Sequence, residues 1–156
     1  MTGVQTCALP ISAGGLFVVA VPALAGPPET TTTIQKNLVE TFVDVLPSCE
    51  GGPLYSVTTT SNLVDHVTAF ADGRFHGTFT QTGKVVAVPL EDPSLPSYTG
   101  HFTVWGGFNA NGTTVNGTFT FNVSLVGSDG SKVTNHTVEH FNERPDGSVN
   151  EFFHCH

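Results

Sequence analysis

Apolar and polar residues alternate along residues 118–126, strictly so as far as Leu125. Successive side chains of a β-strand point to opposite faces, so a period of two predicts a strand with one apolar and one polar face. Residues 74–81 repeat the pattern, with phenylalanine opposite histidine and threonine. In the clearer segment the apolar positions are Phe119, Phe121, Val123 and Leu125.

Turn sequences separate further runs of β-forming residues, and no segment shows a convincing helical period. Four Asp-Gly or Asn-Gly pairs lie between runs and favour tight hairpins: Asp72-Gly73, Asn111-Gly112, Asp129-Gly130 and Asp146-Gly147. Asn62 predicts a bend or bulge between two short runs. The remaining runs cover 37–46, 55–61, 64–70, 84–90, 100–108, 133–141 and 149–154.

Short strands joined by hairpins, without crossover helices, predict an all-β fold. We expect a single antiparallel up-and-down β-barrel of roughly eight strands, because closure pairs the last strand with the first and removes both edges. A β-sandwich is the alternative.

The first residues have the character of a processing segment. Residues 13–25 contain an apolar run followed by Ala23-Leu24-Ala25, which is typical of the end of a secretory signal peptide. Residues 1–12 resemble one reading frame of a sequencing-library adapter, and we interpret them as an artefact. We expect a flexible Pro- and Thr-rich lead-in at 26–33 and the β-barrel domain at 34–156.

Composition narrows the possible partners. The formal net charge is −8, with only five lysines and arginines together. Nucleic-acid binding needs a basic surface, so we expect no nucleic-acid partner. The apolar run in residues 13–25 is too short to cross a bilayer, so we expect no membrane span.

Two cysteines, Cys49 and Cys155, remain if Cys7 belongs to the artefact. An even pair in an exported chain predicts a disulfide. It would connect the first strand region to the last strand and support closure of the barrel.

Aromatic residues are the candidate ligand contacts. An eight-stranded barrel either fills its interior with side chains or holds one small molecule. A dry core is the alternative use of the same aromatic residues. Trp105 alternates with Phe102, so these two side chains must point to opposite faces. The candidate ligand-binding residues are Phe75, Phe79, Phe102, Trp105, Phe119 and Phe121.

Histidine outnumbers lysine plus arginine, seven to five. A hairpin about Asp146-Gly147 could bring four imidazoles together, but opposite faces and a frayed terminus argue against a metal site. We therefore predict no metal, no cofactor and no catalytic residue, and expect His136 and His140 at a rim or on the outside. The four histidines are His136, His140, His154 and His156.

Several segments also resemble a group of uncharacterised secreted actinobacterial proteins. They are ETFVDVLP-x-C at 40–49, ADG-x-FHGTFT at 71–80, DPSLPSYTGHFTVWGGFN at 92–109 and EFFHCH at 151–156. The resemblance implies a signal peptide, a β-rich domain with two cysteines and an extracellular location. It implies no activity and no functional residues.

These observations favour a secreted binding or interaction module, with a small apolar molecule as one candidate ligand. A cofactor-free barrel isomerase or cyclase is the first alternative. A purely structural exported protein is the second. The sequence identifies neither the ligand nor the oligomeric state.

Overall fold

The structure is a computed structural model that describes residues 26–46 and 51–155, without the side chain of Cys155. These residues form seven β-strands, and no helix occurs among them. Among the described residues there is no helix long and apolar enough to cross a membrane. The strands are β1 (Glu29–Val45), β2 (Leu54–Ala69), β3 (Phe75–Pro89), β4 (Tyr98–Ala110), β5 (Val115–Gly127), β6 (Lys132–Glu143) and β7 (Val149–Cys155).

All seven strands belong to one antiparallel sheet, in the order in which they occur along the chain. The all-β, up-and-down prediction is confirmed. Closure into a barrel is not: β1 pairs with β2, β7 pairs with β6, and the sheet stays open between them. One sheet also differs from the two sheets of the sandwich alternative.

Fewer and longer strands are present than the sequence pattern predicts. The runs at 55–61 and 64–70 are one strand, β2, and the runs at 74–81 and 84–90 are one strand, β3. The backbone continues through Asn62, so the expected interruption lies opposite it, in β1. The register shifts between Gln35 and Leu38, and Asn37 has a φ of 55°. Its backbone N–H donates to Oδ1 of Asn62 at 3.1 Å, which holds this β-bulge.

β1 begins at Glu29, inside the segment 26–33 that was expected to be a flexible lead-in. That expectation is wrong from Glu29 onward. The threonines here are β-branched and favour a strand. The hydroxyl of Thr30 lies 2.9 Å from that of Thr68, and Thr32 Oγ1 lies 2.8 Å from Nδ1 of His66.

Three of the predicted hairpin turns share one geometry. The glycine of each Asp-Gly pair has a positive φ, between 77° and 84°, which favours glycine. In the turn before β6, Gly130 N donates to Gly127 O at 2.9 Å, and Gly127 N donates to Ser131 O at 2.8 Å. The Asp129 carboxylate accepts the Ser131 N–H at 2.9 Å and completes the turn.

One face of the sheet, here called the core face, contains the buried apolar side chains. Ala87 and Leu125 are 0% and 1% exposed. The described part of the chain places no helix and no second sheet over them. The buried apolar residues are Tyr55, Val57, Val85, Ala87, Tyr98, Phe102, Val123 and Leu125.

Candidate binding site

The sheet register decides which predicted ligand contacts share a face. Phe79, Gly106 and Phe119 are directly opposite one another on β3, β4 and β5. Trp105 is opposite Thr80 and Thr120, on the other face, and is 39% exposed. We call that other face the outer face. Phe75, Phe79, Phe102, Phe119 and Phe121 therefore share the core face, and Trp105 does not.

The core face has two halves that differ in burial. The packed half consists of the eight buried apolar residues named above, and the Phe121 ring packs against it, 6.2 Å from that of Phe102. The open half consists of six phenylalanines, none of which is fully buried. They are Phe75, Phe79, Phe108, Phe119, Phe141 and Phe153.

Three rings of the open half form a continuous aromatic cluster. The ring centroids of Phe79 and Phe119 are 5.5 Å apart, and those of Phe119 and Phe141 are 5.4 Å apart and nearly parallel. Offset and tilted ring pairs at these distances attract each other beyond simple burial. Gly106 lies between Phe79 and Phe119, so no side chain separates the two rings.

Two rings of the open half, those of Phe141 and Phe108, cover glycine backbone. A Cβ built on Gly117 would lie 2.4 Å from the ring of Phe141, and one built on Gly77 would lie 2.3 Å from the ring of Phe108. Both are cross-strand pairs, in which the aromatic ring takes the space above the glycine. Phe108 and Phe141 are not among the ligand contacts predicted from the sequence. The sequence did contain signals for both residues. Phe108 follows Gly106 by two residues, and Phe141 ends the predicted run 133–141.

Carboxyl groups flank this aromatic cluster. Asp65 is opposite Phe79, and Glu139 is opposite both Phe119 and Phe153. Burial raises the pKa of Asp65 above its ordinary value. Burial also raises the pKa of Glu139, and the charge of Glu151 and a hydrogen bond with it raise that pKa further. The open half therefore combines apolar rings with carboxyl groups that hold their protons more tightly than usual.

The six described histidines lie on the outer face, as expected for His136 and His140. His140 Nδ1 is 2.8 Å from the hydroxyl of Thr118. The Phe152 ring lies beside both His140 and His154, at centroid distances of 6.2 and 6.1 Å. Within the described residues, no group of three or more His, Cys, Asp or Glu side chains could hold a metal ion. His156 lies outside the described residues.

Several predictions fall on residues that are not described. Cys49 and the side chain of Cys155 are among them, so the disulfide stays a prediction. Residues 1–25 are also outside, and with them the artefact and the signal-peptide remnant.

Comparison with known proteins gives no relative. The chain matches no protein-family model, no curated protein and no solved structure. Function must therefore be argued from the geometry of the sheet.

Proposed function

We propose that the protein is a secreted binding module that holds a small apolar ligand against the open half of its core face. One observation carries the proposal. Phe79, Phe119 and Phe141 contact one another in a continuous cluster, yet they stay partly exposed while the other half of the same face is buried.

Apolar surface removed from water contributes roughly 25 cal/mol per Å². A ligand placed on the aromatic cluster would gain this contribution from rings that are already ordered by their mutual contacts. Little conformational entropy is then lost on binding, because the rings do not need to be immobilised.

The carboxyl groups restrict the ligand class. Asp65, Glu139 and Glu151 border the cluster, and the whole chain has a net charge of −8. An anionic amphiphile, such as a fatty acid, would be repelled. A neutral apolar molecule suits both the carboxyl groups at the border and the aromatic rings of the cluster.

Closure of the sheet would deepen the site. β1 and β7 are its two edges, and the predicted Cys49–Cys155 disulfide would tie the end of β1 to the end of β7. A barrel closed in this way would turn the open half into the wall of an internal pocket.

The proposal is tested by titrating the protein with N-phenyl-1-naphthylamine, a neutral fluorescent probe whose emission rises in apolar surroundings. We expect saturable binding that Phe119→Ala weakens about tenfold, which corresponds to about 1.4 kcal/mol. Trp105→Ala is the matched control, because it removes an aromatic ring from the outer face. Equal losses in the two variants, or no saturable binding to the parent protein, would reject the proposal.

A second candidate function is supported by one observation. Glu139 has a raised pKa, contacts Glu151 and lies opposite Phe119, which is the environment of a carboxylic acid that can donate a proton to a confined apolar substrate. A cofactor-free isomerase or cyclase would use it. Incubation of a bound ligand should then give an isomer of equal mass, and Glu139→Gln should bind the ligand without converting it. If the ligand is recovered unchanged from the parent protein, the isomerase is excluded and the binding module stands.

A further inference from the structure

A row of asparagines crosses the outer face at one end of the sheet. Asn109, Asn116, Asn142 and Asn150 are directly opposite one another on β4, β5, β6 and β7. They line a shallow groove of about 440 Å³ whose other wall includes His140 and Phe152. The four asparagines lie on the face opposite to the open half, although Phe141 and Glu151 of the core face also line the groove.

The groove continues toward β3. A second depression of about 300 Å³ shares Asn109 and Asn116 and extends to His76 and Arg74. Arg74 Nε is 2.7 Å from the Asp72 carboxylate, so its charge is already paired. The combined groove is therefore long, shallow and nearly free of uncompensated positive charge.

The asparagines differ in how far they are already engaged. Asn109 Oδ1 lies 2.8 Å from Nδ1 of His76, and Asn109 Nδ2 donates to Asn116 Oδ1 at 3.3 Å. The side chains of Asn142 and Asn150 make no hydrogen bond to any described residue. Each keeps two N–H donors and one carbonyl acceptor available to a ligand.

We propose that this groove binds a neutral oligosaccharide. Carboxamides donate and accept at once, which suits hydroxyl groups that also do both. The Phe152 side chain is 60% exposed at the groove wall and offers a flat apolar surface to the C–H face of a sugar ring. Neighbouring strands are ~4.8 Å apart, close to the length of one pyranose unit, so successive asparagines can meet successive sugars.

The negative charge of the protein favours a neutral sugar chain over anionic polymers. Glu151 lies at the groove, and the net charge of the chain is −8. Uronic-acid chains and nucleic acids would be repelled, since binding them requires a basic surface. A neutral sugar chain meets no such penalty.

The test is a titration of ¹⁵N-labelled protein, followed through the side-chain amide signals of asparagine. The probes are cellohexaose, xylohexaose, mannohexaose, maltohexaose and chitohexaose, with hexagalacturonate as the anionic comparison. We expect at least one neutral hexamer to shift the Asn142 and Asn150 amide signals in a saturable way. Hexagalacturonate should not.

Variants complete the experiment. The double variant Asn142→Ala/Asn150→Ala should lower the affinity about tenfold through the loss of two hydrogen-bonding side chains. Thr134→Ala is the control, since this exposed outer-face residue lies at the other end of β6. The proposal is overturned if no neutral hexamer shifts the two amides, if hexagalacturonate binds as tightly, or if the double variant binds like the parent.

Discussion

The two halves of the core face share β3, β4 and β5, yet one is buried and the other is open. The first strand contributes different side chains to the two halves. At the packed half β1 places Phe42 opposite Val57, and Phe42 packs against the buried cluster. At the open half it places Thr33 opposite Asp65 and Thr31 opposite Val67. Alternation along a strand therefore defines a face, and apolar side chains from the edge strand help to bury it.

The β-bulge in β1 lies between the part of the strand that packs against the buried cluster and the threonine-rich part. Between Gln35 and Leu38 the strand has one residue more than its partner, so core-face positions change from odd to even numbers. A bulge also increases the local twist of an edge strand. The apolar part of β1 packs against the packed half, while its threonine-rich part stays exposed.

The largest expected effect is the loss of a packed-half side chain. Leu125→Ala should lower the free energy of unfolding by about 3 kcal/mol, because Leu125 is 1% exposed and its removal leaves a cavity. Phe153→Ala, in the open half and 49% exposed, should cost less than about 1.5 kcal/mol although the side chain is larger. Urea denaturation measures both. Equal costs would mean that the two halves are not different in packing.

A smaller effect is expected from filling the glycine gap in the aromatic cluster. A Cβ on Gly106 would lie 2.3 Å from the backbone oxygen of Thr118 and 2.7 Å from the ring of Phe119. Gly106→Ala should therefore destabilise the fold by about 1–3 kcal/mol and displace the Phe119 ring. Gly112→Ala places its methyl group in open space and should change stability by less than about 0.5 kcal/mol. Thermal unfolding of the two variants, with aromatic NMR shifts, tests this; an undisturbed Phe119 signal in Gly106→Ala argues against the tight pairing.

The smallest effect concerns the pH dependence of stability. The pKa of Glu139 is raised in the folded chain, so its contribution is fully present below the unfolded pKa and is lost as the pH rises through the folded pKa. Glu139→Gln should remove this loss and stabilise the protein at neutral pH by less than about 1 kcal/mol, because the group is partly solvated. Glu91→Gln, in the loop after β3, is the control. If Glu139→Gln follows the parent's pH profile unchanged, the carboxyl group is not held in an apolar environment.

Turn carboxylates give the opposite trend. Hydrogen bonds from Ser131 lower the pKa of Asp129, and those from Ser148 lower the pKa of Asp146. Their contribution is present above the unfolded pKa and is lost as the pH falls through the folded pKa. Asp129→Asn should reduce the loss of stability at acidic pH. Glu139→Gln should instead change the free energy of unfolding only toward neutral pH. Unfolding curves between pH 3 and 7 separate the two.

Local patterns predicted much of the fold. The strict alternation around Phe119 placed β5 correctly, and the Asp-Gly pairs located three hairpin turns with positive-φ glycines. Alternation also required Phe102 and Trp105 to lie on opposite faces, as they do. The sequence predicts a break at Asn62, but β2 continues through this residue. A polar residue inside a long strand can instead stabilise a β-bulge in the neighbouring strand.

Features that depend on distant parts of the chain could not be predicted from local sequence patterns. Closure of a sheet depends on the stagger between its first and last strands, which no local pattern encodes. Phe108 and Phe141 join the open half through their pairing with glycines on neighbouring strands, so they become visible only once the register is known. The asparagine row is likewise a property of register, since its members come from four strands.

The most direct test of the account is to find where the neutral probe binds. In ¹³C-labelled protein saturated with N-phenyl-1-naphthylamine, we expect intermolecular nuclear Overhauser effects from the naphthyl protons to the rings of Phe79, Phe119 and Phe141. Contacts from the probe to Tyr55, Val85 or Leu125 instead, or to Trp105 on the outer face, would contradict the division of the core face into a packed half and a ligand-binding open half.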